Sequence, residues 1–175
     1  MVGNFHKIVA TNMRWEQVHW GQRSHQLTAG EVTYATLEWP QLFRTIGLAS
    51  SSEGEYSFKR GGFLHPYITI YRKDSQVELA RLTVNWRGSG DLVFINGQRF
   101  HYTRHGMTRY RYDVSDGRGD LLFDLEKEWG GFKHNGEVHV FPAGECERDI
   151  ALLIMLCWYL VVMLFEDAQA AAAST

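Results

Sequence analysis

The segment RFHYTRHGMTRYRYD, Arg99 to Asp113, gathers more anion-binding chemistry than any other part of the chain. Each guanidinium presents a planar fork of donors that matches the oxygens of a phosphate or carboxylate, and imidazole adds a donor that titrates near neutral pH. If 98–103 and 108–114 pair as a hairpin, alternation sends Phe100, Tyr102, Tyr110, Tyr112 and Val114 to one face and Arg99, His101, Arg109 and Arg111 to the other. Arg104 and His105 then fall in the connecting loop. Arg99, His101, Arg104, Arg109 and Arg111 form the candidate ligand-binding patch, for an anionic headgroup or another phosphate-bearing ligand. The plain alternative is a solvated strand face neutralised by Asp120, Asp124 and Glu126 of a neighbouring strand.

Other chemistry is thinner. His101 and His105 stand four apart, but on a strand and a loop, where that spacing does not align two metal ligands, and His134 and His139 merely flank a turn beside Glu137. No metal site and no cofactor is expected. Ser50-Ser51-Ser52 lacks the strand-turn-helix context of a hydrolase nucleophile, and Arg87-Gly88-Ser89-Gly90 lacks the Gly-Lys-Ser/Thr ending of a phosphate loop. Arg118-Gly119-Asp120 reads as turn chemistry, and Glu126 and Glu128 share a strand face without a marked pocket. No catalytic residue is assigned.

The elements that must position these residues are strands. GEVTY, GEYSF, GDLVF, GDLLF and GEVHV, beginning at Gly30, Gly54, Gly90, Gly119 and Gly136, repeat one grammar of glycine, acid and alternating apolar residues. Glycine closes the turn, the acid stays in water, and every second side chain is buried. Unequal gaps between the copies exclude a repeat array of fixed period. Asn96-Gly97 and Asn135-Gly136 are hairpin cues. Pro40 and Pro142 mark strand ends, and Pro66 a strand start or bulge. The count is about 11 or 12 antiparallel strands between Met13 and Phe141, with Gln41 to Ala49 as a short helix or irregular crossover.

The closing run IALLIMLCWYLVVMLF, Ile150 to Phe165, carries no charge and would make a helix about 24 Å long, apolar around its whole circumference. Such a helix must be enclosed by lipid or by protein. It is shorter than the roughly 20 residues of a span. Its flanks, Glu145 to Asp149 and Glu166-Asp167, lack a basic cluster, and Trp158 and Tyr159 lie mid-run. A barrel of about 11 or 12 strands has the width to hold it. The expected fold is therefore mainly β, an antiparallel closed barrel around a central, buried C-terminal helix. One domain is read over 1–167, with the helix at 149–167 and an alanine-rich tail at 168–175 that extends it by a turn before fraying. A tail anchor spanning a bilayer with 150–165 is the alternative.

FKRGGFLHPYITIYR and LARLTVNWRGSGDLVFINGQRF, followed by the apolar run, resemble the tubby C-terminal-like superfamily of tubby proteins, phospholipid scramblases and LURP-one-related proteins, in a bacterial-type member. The resemblance is architectural and implies lipid contact. Tubby's signature has no match near this C-terminus, and VFPAGECERD stands where scramblases carry an acidic calcium-loop-like segment, so tubby's phosphoinositide-binding positions are not transferred. The composition, with 22% charged residues and a formal net charge of −2, excludes a polycationic nucleic-acid binder. The start of the chain shows no signal-peptide pattern, and Cys146 and Cys157 are too few for a disulfide framework. The expected protein is a cytoplasmic, non-enzymatic binding module, peripheral at a membrane, with anionic lipid as partner and neither nucleic acid nor transmembrane insertion. An enzyme with a surface cleft is the remaining alternative.

Overall fold

The computed structural model describes residues 12–174 apart from 20, 22, 41–44, 63, 74, 107–109 and 129–133. Twelve strands follow one another: β1 Met13–Gln17, β2 Ser24–Ala29, β3 Val32–Glu38, β4 Ile46–Ser51, β5 Gly54–Gly61, β6 Tyr67–Arg72, β7 Glu78–Val84, β8 Gly90–Phe94, β9 Arg99–His105, β10 Arg111–Asp116, β11 Leu121–Lys127 and β12 Gly136–Val140. Each pairs antiparallel with its sequence neighbours, and β12 returns to β1, so the sheet closes as a barrel without an edge. A short helix, α1 Pro142–Glu145, leads into α2, Ile150–Ala173, which runs back through the barrel.

Hairpins at 85–89, 94–98 and 116–120 share one construction. In each, the glycine N–H (Gly88, Gly97, Gly119) donates to the carbonyl three residues earlier, and the first residue's N–H donates across to the last residue's carbonyl. The three glycines have φ of 85°, 89° and 93°, the left-handed conformation that glycine adopts without Cβ strain.

The core is the inner face of this sheet against α2. Ile150 through Met163 are all buried, so the alternative of a span over 150–165 has no lipid-facing side in this fold. Trp158 stacks on Trp15 with ring centroids 5.8 Å apart, and Tyr159 stacks on Trp39 at 5.5 Å. Phenolic hydroxyls are satisfied inside: Tyr102 donates to the Leu153 carbonyl at 3.1 Å, Tyr112 to that of Gly88 at 2.8 Å, and Tyr159 to that of Thr45. Burial raises the pKa of all three.

Several local expectations are corrected. Within 41–49, residues 41–44 lie outside the described residues, and the helix expected there is replaced by strand β4 from Ile46. Its inward positions are Gly47 and Ala49; a Cβ on Gly47 would sit 2.8 Å from the Tyr159 ring. Small inward residues make room for the helix aromatics and erase the apolar alternation that reveals a strand. Gly136 does not close a two-residue hairpin but lies inside β12, where a Cβ would sit 2.6 Å from Trp158. Gly90 likewise sits in a strand, against the Thr83 carbonyl. The helix also continues beyond 167 to Ala173, its last residues exposed.

Candidate functional site

Because strands alternate in direction, the barrel has two unlike ends. One, here the mouth, gathers the ends of β1, β3, β5, β7, β9 and β11 and the point where α2 emerges at Leu164 to Asp167. The other, the base, gathers the opposite connections and the segment from Phe141 to Asp149 that feeds α2 into the barrel.

The predicted patch is divided between them. Arg99 opens β9 at the base, beside the turn that follows Asp116, while Arg111 pairs in register with His105 at the mouth. Six residues of strand, about 20 Å, separate the two levels. His101 lies between, with Nδ1 2.6 Å from Asp91 Oδ1. Arg104, expected in a loop, is the last inward residue of β9, because alternation carries the inner face from Phe100 through Tyr102 to Arg104. Arg109 lies outside the described residues.

On the outer wall of β9 to β12 the bases are interleaved with acids. His105 Nε2 lies 2.8 Å from Asp113 Oδ2, Arg111 Nη2 3.1 Å from Asp124 Oδ2, and His139 Nδ1 2.8 Å from Asp124 Oδ1. Glu126 and Glu137 face each other across β11 and β12, bracketed by Arg111 and Arg14 on the adjoining strands. A groove of about 400 Å³ lies over this network, lined by Arg, Asp, Glu, Lys and His side chains. His139 and Asp124 have the geometry of a general-base pair, yet no Ser, Thr or Cys joins them in the lining. Among the described residues, no group of three or more His, Cys, Asp or Glu is arranged to hold a metal ion.

The mouth holds a second set of four cations, of which sequence reading singled out Arg104 and missed the other three. Four inward stripes end there in a basic residue: His25 leads to Arg23, Phe58 to Arg60, Tyr102 to Arg104, and Leu125 to Lys127. Strict period-two counting along RSH, FKR, YTR and LEK predicts each, since the inward register continues past the last buried residue of the strand. All four converge on the emerging helix. Arg23 Nη2 is 2.5 Å from Glu166 Oε2, and its guanidinium lies 4.8 Å from the Trp39 ring centroid. Arg60 Nη2 is 2.6 Å from Asp167 Oδ2. The Arg104 guanidinium sits 4.5 Å over Tyr110, and Lys127 Nζ 4.3 Å over Phe165.

Burial governs titration here. Lys127 is 5% exposed, and desolvation lowers its pKa. His25, packed edge-on against Trp39 and Trp158, is pushed down to about 3, chiefly by desolvation and then by His134 and Arg23. His134, edge-on to Phe165 at 4.9 Å, is lowered to about 4 by burial first and then by Lys127 and Arg23. Burial raises Glu166, with Arg23 opposing it. At neutral pH both histidines are uncharged.

The connections differ in sign as well. Among the described residues, those at the mouth contain Arg23 and Arg87 against one acid, Glu128. Those at the base are acid-rich, with Glu31, Glu53, Asp120, Glu145, Glu147 and Asp149 outweighing Lys73, Arg118 and Arg148. The arrangement can attract an anion at one end and repel it at the other.

No family model matches the chain, and no curated protein does. Among solved structures, the X-ray structure of a protein from Arabidopsis thaliana superposes with a TM-score of 0.56, covering 90% of this chain and 96% of that one at 12% identity. At that identity the likeness shows the fold alone.

Proposed function

We propose that the protein is a non-enzymatic binding module that holds a phosphate-bearing anion, in the first place a phospholipid headgroup, at the mouth of its barrel. The observation that supports this reading is the convergence of Arg23, Arg60, Arg104 and Lys127 on one rim, with the opposite rim acidic. The helix fills the barrel, so a ligand is met at the rim or the outer wall rather than inside. The finer placement beside LURP-one-related proteins and scramblases, and a cytoplasmic protein peripheral at a membrane, agree with this reading. Of the five residues in the predicted patch, this reading keeps Arg104 and Arg111, which stand at the mouth, and sets aside Arg99 and His101; Arg109 lies outside the described residues.

Flotation with phosphatidylserine-containing and pure phosphatidylcholine vesicles, at low and high salt, tests the proposal. The expected result is binding that needs the anionic lipid and is lost as salt rises, because exposed charges are screened within about 10 Å at 0.1 M. Arg104→Ala weakens it and Arg99→Ala leaves it unchanged. Absence of binding both to anionic vesicles and to soluble inositol polyphosphate would overturn the proposal.

A further inference from the structure

Among the described residues each end of the barrel exposes two large apolar side chains, and the ends differ in which residues these are and what charge surrounds them. At the mouth they are Leu64 and Trp86, 81% and 79% exposed. Arg87 lies with its guanidinium 4.6 Å from the Trp86 ring centroid, so an aromatic and a cation share one hairpin tip. His65 follows Leu64 and is also exposed. The base exposes Val77 and Ile95, both aliphatic, among acidic connections that oppose an anionic surface.

Isolated exposed apolar residues need no explanation, but apolar tips flanked by bases around a single rim match an interfacial surface. A soluble phosphate would use the cations and leave Leu64 and Trp86 in water. A bilayer uses both, taking Trp and Leu below the level at which Arg meets phosphate. We infer that the protein docks end-on onto an anionic bilayer, inserting the loop tips that carry Leu64 and Trp86 while the Cys146 end of the barrel points away. The inference rests on the anion-binding reading above and adds the bilayer as the source of the anion.

Cys146 is exposed at the base and Cys157 is buried in the helix, which supplies a matched pair of probes. One sample carries an environment-sensitive nitrobenzoxadiazole label on Cys146. The other carries it at Trp86→Cys in a Cys146→Ser background. With phosphatidylserine/phosphatidylcholine vesicles the label at 86 should shift to the blue, and the label at 146 should keep its aqueous spectrum. The double variant Leu64→Asp/Trp86→Asp should lower vesicle partitioning about tenfold or more, given what burying one large apolar side chain contributes. Vesicle binding with both labels still in water overturns insertion while leaving the anion-binding reading intact. A shift at 146 alone overturns the orientation. A blue shift at 86 without vesicles that grows with protein concentration identifies a second copy as the occupant and overturns the bilayer. No binding to vesicles or to inositol hexakisphosphate removes both proposals.

Discussion

The inner rim of the mouth and the outer wall of β9 to β12 use the same residue types and hold them differently. On the wall, Arg111, His105 and His139 stand in water beside Asp113 and Asp124, so the Arg111 charge is neutralised locally and screened by solvent. On the rim, Arg104 and Lys127 lie over aromatic rings, and Arg23 and Arg60 tether the emerging helix. Position along the inward register, rather than residue type, decides whether a base stands in water or joins a desolvated, charged collar. A basic cluster in sequence is therefore a weak guide to a basic patch in space.

The largest expected difference between the two regions is in acid stability. His25 and His134 have folded pKa values of about 3 and about 4, below their ordinary 6.5. The unfolded chain takes up these protons first, so stability present above pH 6.5 is lost as pH falls toward 4 and then 3, by several kcal/mol in all. Urea titrations across that range should show the loss, and His25→Gln should flatten it. A pH dependence unchanged in His25→Gln would contradict the assignment.

Next is a pair of adjacent residues on opposite faces of β12. Gly136→Ala places a Cβ 2.6 Å from Trp158 and should cost about 1–3 kcal/mol in denaturant unfolding, while Glu137→Ala should stay within about 0.5 kcal/mol. Smaller again is the contrast between the two arginines. Arg23→Ala removes the Glu166 pair and the Trp39 contact, leaves a half-buried carboxylate, and should cost about 1–2 kcal/mol. Arg111→Ala, at a largely exposed pair, should cost under about 1 kcal/mol.

The closed barrel and its buried helix were legible because they follow from two global facts: a charge-free run that needs a container, and a strand count that makes one of matching width. Local features failed where packing against the helix overrode the pattern. Gly47 is small because Tyr159 is large, a dependence across more than a hundred residues, and Gly136 is small because Trp158 is large. The patch at Arg99 to Arg111 was drawn from proximity in sequence, yet its two ends lie at different levels of the wall. The collar of Arg23, Arg60, Arg104 and Lys127 comes from four distant segments, and only a known register joins them.

The central claim is that the two ends of the barrel are functionally unlike, and the hairpins at 85–89 and 116–120 test it as a matched pair. They share one backbone construction and each exposes an arginine, Arg87 at the mouth and Arg118 at the base. Partitioning onto phosphatidylserine-containing vesicles should fall about tenfold or more for Arg87→Glu, since each base near an anionic membrane contributes about 1 kcal/mol and the reversal also adds a repelled charge. The account predicts no loss for Arg118→Glu. Equal losses from the two reversals, or a loss only from Arg118→Glu, would contradict it.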